Sequence, residues 1–266
     1  MLYENLLKAA RAFYGIGVAG IGAQQFFYKN FRPVIIPQWP HPLSWIAIPA
    51  YITGAGFIIA GTIIAFSKNA KPTSLLLAFC FLLFFICFHI TFQLFVSPNG
   101  FNIALWTDPL KELTFSGGAF IITSSYVSSG DSKSFYTRNR KAFFITGIIF
   151  FALLLIIFGI DHFLYTDFVA TLVPVWIPGH VFWTYFAGIA LIGSGVGILI
   201  PQTRKVVAIL LGIMLFIWFL ILHIPRAAVA PATDNGNELT SVFEALAFSG
   251  IAFVIAWVSG NKLGKQ

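Results

Sequence analysis

Charge is what this sequence has least of. Only 9% of its 266 residues are Asp, Glu, Lys or Arg, while 58% are hydrophobic. A soluble globular chain carries roughly a quarter charged residues. The composition therefore excludes an ordinary soluble domain and leaves a polytopic membrane protein, with the lipid bilayer as its first expected partner. The net charge of +7 then reports basic loops facing the cytoplasm. No nucleic-acid partner is expected from it.

Cysteine is nearly absent. Cys80 and Cys87 lie seven apart in one apolar segment. Two helical turns separate them by roughly 10 Å, too far for a disulfide between them. With no CxxC pair, they read as small interior residues. Other signals are missing too. There is no P-loop, no GxGxxG and no serine-nucleophile elbow. No helix carries the regularly spaced charge of a voltage sensor, and the polar loops are too short for a catalytic domain. The N-terminus MLYENLLKAARAFYGIG runs into an apolar stretch without a cleavage site, so it reads as a first membrane helix.

What is present is written twice. Residues 22–39 read GAQQFFYKNFRPVIIPQW and residues 159–176 read GIDHFLYTDFVATLVPVW. FSGGAFII at 115–122 returns as FSGIAFVI at 248–255. FHITFQ (88–93) and LHIPRA (222–227) each place a His late in an apolar run. Such a duplication sets the architecture.

About 20 apolar residues cross the hydrocarbon core as a helix. Eight segments are predicted to do so: 8–28, 44–66, 74–97, 109–128, 141–163, 180–200, 205–224 and 239–259. The expected fold is all-α and integral to the membrane, with eight transmembrane helices in two tandem, parallel four-helix-bundle repeats. An even helix number per repeat gives both copies one orientation, about an axis near the membrane normal. The first unit takes 1–130, a cytoplasmic linker 131–140, and the second unit 141–266. Lys8, Arg11, Lys68, Lys71, Lys133, Arg138, Arg140, Lys141, Arg204, Lys205, Lys262 and Lys265 gather on one side. The positive-inside bias puts that side, with both termini, in the cytoplasm of a cell whose inner (plasma) membrane the chain crosses.

Small residues at Gly15/Ala19, Gly54/Gly61, Gly193/Gly197 and Ala245/Ser249 are expected at close helix contacts. The proline segments PVIIPQWPHP and LVPVWIPGH cannot be continuous helix. Both are expected at the outer interface, with Trp39 and Trp176 at headgroup depth.

All five histidines, His41, His89, His162, His180 and His223, map to the outer half. In the second repeat Asp161, His162, His180, His223, Arg226 and Glu244 come from helix ends on one side and are expected to cluster, with Trp176 nearby. Ionisable groups in a membrane are costly, so they pair. Arg226 is expected to pair with Asp161 or Glu244, and a His with a carboxylate. In the first repeat Gln24 and Gln25 replace Asp161 and His162, Lys111 aligns with Glu244, and Phe92 aligns with Arg226. The second repeat thus reads as the working site and the first as a scaffold or a differently tuned site. A His beside a carboxylate is a proton-exchanging pair, and beside Trp and Phe it suits a flat amphiphile such as a quinone. No metal is expected: the residue types are right, but no HxxxH or CxxC spacing supports them and Arg226 opposes them. A haem held by His89 and His223 is disfavoured, because the repeats need not aim them at one point.

GIDHF, VPVWIPGHVFWTYFAGIALIGSGVGIL, the Arg204–Lys205 pair, LLGIMLFIWFLILHIPR and ELTSVFEALAFSG together resemble the DoxX-like membrane proteins. The resemblance covers 145–258 well and 15–128 more faintly. The matching positions are Asp161, His162, Pro174, Trp176, Pro178, His180, His223, Pro225, Arg226 and Glu244. That family includes the DoxD-type small subunit of thiosulfate:quinone oxidoreductase and relatives of the methylamine-utilisation protein MauE. It implies four-helix units and a link to membrane redox metabolism or to maturation of exported proteins. The expected function is an oxidoreductase-associated membrane subunit that binds a quinone-like or other amphiphilic ligand at the outer face, beside a membrane or periplasmic redox partner protein. A non-catalytic scaffold or assembly factor is the alternative, and a small-molecule transporter the third. No residue is assigned a catalytic role.

Overall fold

In lipid every backbone N–H and C=O must bond within the chain, which limits spanning segments to helices or closed barrels. This chain uses helices. A computed structural model describes residues 2–40, 45–126, 134–229 and 236–260, and no strand occurs among them. His41, Asp234, Lys262, Lys265 and the first part of the polar linker lie outside the described residues.

The elements are α1 (Leu2–Tyr28), α2 (Ala47–Phe66), α3 (Lys71–Phe84), α4 (Thr91–Phe95), α5 (Thr107–Ser125), α6 (Phe135–Leu164), α7 (Thr166–Leu172), α8 (His180–Leu199), α9 (Pro201–Trp218), α10 (Ile224–Val229) and α11 (Asn237–Gly260). A π turn at Phe85–Ile90 joins α3 to α4 into one rod, and a second at Phe219–His223 joins α9 to α10. Prolines open α3 and α9 at the first turn, where a missing N–H costs nothing. Among the described residues six helices are long and apolar enough to cross a membrane: Ala47–Phe66, Lys71–Phe95, Phe135–Leu164, His180–Leu199, Pro201–Val229 and Asn237–Gly260. The protein is compatible with a multi-pass membrane protein on that ground. The eight expected segments are all helical, but α1 and α5 are not among the six.

For α5 the reason is position. α5 packs against α3, α6 and α11, and every residue from Pro109 to Ser125 is buried. A helix wrapped by protein needs no apolar coat, and its Asp108, Lys111 and Glu112 find partners inside. α11 is the other inner helix, with 78% of its apolar window buried against 28% for α2. The helices form a closed ring that runs through both: α1 packs on α2 and α11, α11 on α9, α9 on α8, α8 on α6, α6 on α5, α5 on α3, and α3 on α2, while α5 and α11 also touch each other across it.

Glycines set the close crossings. Gly22 meets Gly54 and Gly15 meets Gly61 between α1 and α2. Gly159 meets Gly188, and Gly195 meets Ala152, between α6 and α8. Gly117 meets Gly147 between α5 and α6, and Gly250 meets Ala10 between α11 and α1. Gly193 departs from expectation: a Cβ there would meet nothing within 4 Å. Its helix face looks outward, so its spacing to Gly197 is not a contact motif.

At the end opposite the α1–α2 loop, basic side chains cap helix C-termini, where carbonyls are unpaired. Arg11 Nε and Nη2 donate to the Ser125 hydroxyl and carbonyl at 2.9 and 2.8 Å. Arg140 Nε donates to the Ser124 carbonyl and Arg204 Nε to that of Ile198, each at 2.6 Å.

Candidate functional site

The two proline segments, expected at equivalent outer positions, fold differently. After α1 the chain turns inward: Phe31, Arg32, Val34, Ile35 and Ile36 are all buried. Pro33 follows Arg32 directly and forbids helix there. After α6 the first proline is Pro174, so Thr166–Leu172 can close a short helix, α7. The remainder runs on the surface, with Val175 93% and Trp176 65% exposed. Gly179, in the left-handed region at φ 76°, turns the chain into α8 at His180.

The inward segment delivers a charge to the polar end of the bundle. Arg32 is 1% exposed. Its Nε donates to Thr240 Oγ1 at 3.1 Å, and the guanidinium carbon stands 4.3 Å from the centre of the Tyr28 ring. Thr240 in turn donates to Gln24 Oε1 at 2.7 Å. Burial pulls the Arg32 guanidinium below its ordinary value, while Tyr28, Glu244 and Asp108 act to restore it.

Beside it, Lys111 Nζ reaches Glu244 at 3.0 Å and Asp108 at 3.3 Å. The Lys111–Glu244 pair joins the two inner helices, with both side chains nearly sealed from solvent. His89 sits in the first π turn, and its Nε2 lies 3.3 Å from both the Val34 carbonyl and the Glu112 carboxylate. Glu112 is fully buried. His223 sits in the second π turn, within electrostatic reach of Lys111, Glu238 and Arg226. π turns widen a helix locally and recur at functional sites. Here each one aims a histidine into the polar end.

The expected cluster is therefore split. Arg226 pairs with Glu238 through both Nε, at 2.9 Å, and Nη2, and it also donates to the Leu172 carbonyl at 3.3 Å. Its partner is neither Asp161 nor Glu244. Glu238 opens α11, which packs against α10, and Glu244 further along α11 faces Lys111 instead. The His–carboxylate contact is His89–Glu112, in the half expected to be a scaffold or a differently tuned site. His162 donates through Nδ1 to the Phe158 carbonyl of its own helix at 2.7 Å. His180 and Trp176 lie at the partly open and exposed start of α8, apart from these pairs. Glu244 belongs to the centre, and Asp161 to the α5–α6 side.

Asp161 is only 9% exposed, and its Oδ1 is buried without a hydrogen-bond partner within the protein. One turn before it, Ile157 lines a pocket of about 340 Å³ together with Phe101, Ile103, Trp106 and Leu110. One turn after it, the Tyr165 hydroxyl donates to Asn102 Oδ1 at 2.9 Å. Ile157, Asp161 and Tyr165 follow one face of α6. Among the described residues no three His, Cys, Asp or Glu side chains converge as metal ligands.

Arg32, Asp108, Lys111, Glu112 and Glu238 were not among the expected site residues. Two signals pointed to two of them: opposite charges at the aligned positions Lys111 and Glu244, and Arg32 at the head of an otherwise apolar proline segment.

No curated protein and no solved structure matches this chain. Residues 151–258 are similar to a family described as "Domain of unknown function (DUF8561)", a match that falls wholly within the second half.

Proposed function

We propose that the protein spans the membrane eight times, as two tandem four-helix units about an axis along the membrane normal. We further propose that it binds a small amphiphile at the polar end of its second half. The repeat is supported by contacts that recur at aligned positions. Gly22–Gly54 and Gly15–Gly61 correspond to Gly159–Gly188 and Ala152–Gly195, and Gly117–Gly147 corresponds to Gly250–Ala10. α1 and α5, at 27 and 19 residues, have the length to cross. Both termini then face the cytoplasm of the inner membrane, on the side rich in Lys and Arg.

The observation that carries the ligand reading is Asp161. A buried carboxylate oxygen is costly unless paired, and Asp161 Oδ1 has no hydrogen-bond partner within the protein, one helical turn from Ile157 in the wall of an apolar pocket. An amphiphile could place its tail along α6 and a hydrogen-bond-donating head at Asp161. An ionised carboxylate only accepts hydrogen bonds. The DoxX-like resemblance, over the same half, adds a redox setting in which the protein serves as a subunit beside a membrane or periplasmic redox partner. A quinol, whose hydroxyls donate, is the quinone-like form that suits such an acceptor.

The scaffold reading has its own support. Lys111–Glu244 and Arg226–Glu238 are closed pairs that cross between helices and leave those charges nothing further to hold. Mass spectrometry of small molecules retained by the purified chain separates the two. A ligand protein should yield a molecule that is lost in a folded Asp161→Asn variant. A scaffold should yield none, and should keep its partners through that change.

A further inference from the structure

The two halves offer the same niche, and only one of them fills it from its own chain. Between α1 and α11, Phe243 lies against Gly20, and Arg32 enters from the proline segment to bond Thr240 and stand over Tyr28. The repeat alignment carries Gly20 to Ile157, Phe243 to Leu110, Thr240 to Thr107, Tyr28 to Tyr165, Gln24 to Asp161 and Arg32 to Val169. Between α5 and α6, Ile157 and Leu110 line the 340 Å³ pocket. Asp161 and Tyr165 follow on the same face of α6. Val169, which stands at the Arg32 position, is a short uncharged residue on α7 and is only partly buried, so the segment after α6 supplies no guanidinium.

Two further observations bear on what belongs there. Tyr165 is anchored to Asn102, as Tyr28 is held against Gly236, so the aromatic face is present in both niches. The exchange of Gln24 for Asp161 adds a negative charge where the chain supplies no cation. Among the described residues Glu112 is likewise without a Lys or Arg partner, but it lies 3.3 Å from the His89 ring and outside the wall of that pocket. The remaining buried charges at this end have company. Arg226 is matched by Glu238, and Lys111 with Arg32 is set against Glu244 and Asp108. Asp161 stands outside that balance.

We infer that the α5–α6 niche receives the head of an amphiphilic organic cation, a guanidinium or protonated amine, bound to the Asp161 carboxylate and seated against Tyr165 as Arg32 is seated against Tyr28. A carboxylate and an aromatic face together recognise such a group by a charge-assisted hydrogen bond and a cation–π contact. The apolar wall of Trp106, Leu110 and Ile157 takes the start of its tail. This deepens the amphiphile reading above and rests on it.

The test uses the full chain in neutral detergent, with octylguanidinium and the uncharged donor octylhydroquinone as probes, read by native mass spectrometry and by the shift in Tm. The wild type should bind one octylguanidinium saturably. Asp161→Asn should weaken it by about tenfold or more, the loss of a charge-assisted bond, and Tyr165→Leu by a few-fold. Leu110→Phe, which copies the filled niche and changes no charge, should abolish binding. It decides the matter if Asp161→Asn fails to fold. Octylhydroquinone binding that depends on Asp161, with no octylguanidinium binding, would overturn the cationic head and leave the amphiphile reading standing. Binding of neither probe would overturn both. Octylguanidinium binding that is indifferent to Leu110→Phe would place the probe in the detergent belt and end the inference.

Discussion

Lys111 and Glu244 form a 3.0 Å ion pair between positions that align with each other in the two halves of the chain. The same relationship continues down the inner helices. Phe115 and Phe248 are aligned, and their ring centres are 5.2 Å apart. Gly118 and Ile251 are aligned, and Ile251 lies against the glycine. These three pairs join the two inner helices, α5 and α11. Opposite charges at Lys111 and Glu244 make that contact attractive, where identical charges would repel.

Removing one partner of a buried pair leaves the other uncompensated, commonly at about 3–5 kcal/mol. Lys111→Met should therefore destabilise strongly in detergent unfolding. Lys111→Met combined with Glu244→Gln should be milder than the single change. The exchange Lys111→Glu with Glu244→Lys should recover part of the loss. Additive losses in the double variant would contradict the pairing. Arg226→Ala should cost less than Lys111→Met, because the Arg226–Glu238 pair is more open to solvent.

The glycine contacts predict opposite signs at neighbouring positions. Ala at Gly61 or Gly147 would drive a Cβ into facing backbone and should cost about 1–3 kcal/mol. Gly56→Ala and Gly193→Ala meet open space and should gain roughly 0.5–1 kcal/mol of helix stability. Equal effects at all four would mean that the α1–α2 and α5–α6 crossings are wrongly drawn.

Arg32 can be tested by chemical rescue. Arg32→Ala removes a buried guanidinium that bonds Thr240, and should lower Tm by several degrees. Millimolar methylguanidinium should restore part of that loss in the variant and do nothing for the wild type. Rescue by methylammonium to the same extent would show that charge alone, and not the planar fork, is read there.

Orientation follows from labelling. With Cys80 and Cys87 replaced, Asn69→Cys and Gln202→Cys, both at exposed positions, should react only from the cytoplasmic side. Asn99→Cys and Val175→Cys should react from outside. Labelling of Asn69→Cys and Asn99→Cys from one side would refute a span between them.

That the expected segments are helical was legible in sequence, because lipid permits little else for long apolar runs, while six of those eight are long and apolar enough to cross. The repeated Gly, Phe, Tyr and Trp were legible as well, and so was the concentration of histidine and carboxylate at one end. Chain order alone could not say which polar groups meet. Arg226 pairs with Glu238 because α10 and α11 abut at that end. Glu244, two turns deeper, points instead at a helix from the other half. Asp161 and His162 are adjacent in sequence yet lie on different faces of α6, one following Ile157 and one bonded to its own helix. Two proline segments of similar composition parted because Pro33 blocks a helix that Thr166–Leu172 is free to form, and only packing then decided that one turns into the bundle while the other stays on the surface. Composition and periodicity determined that this chain is a set of apolar helices with a polar end. The partners of each buried charge were decided by tertiary structure, since a charge in a dry interior takes whichever opposite group the helix crossings bring within reach.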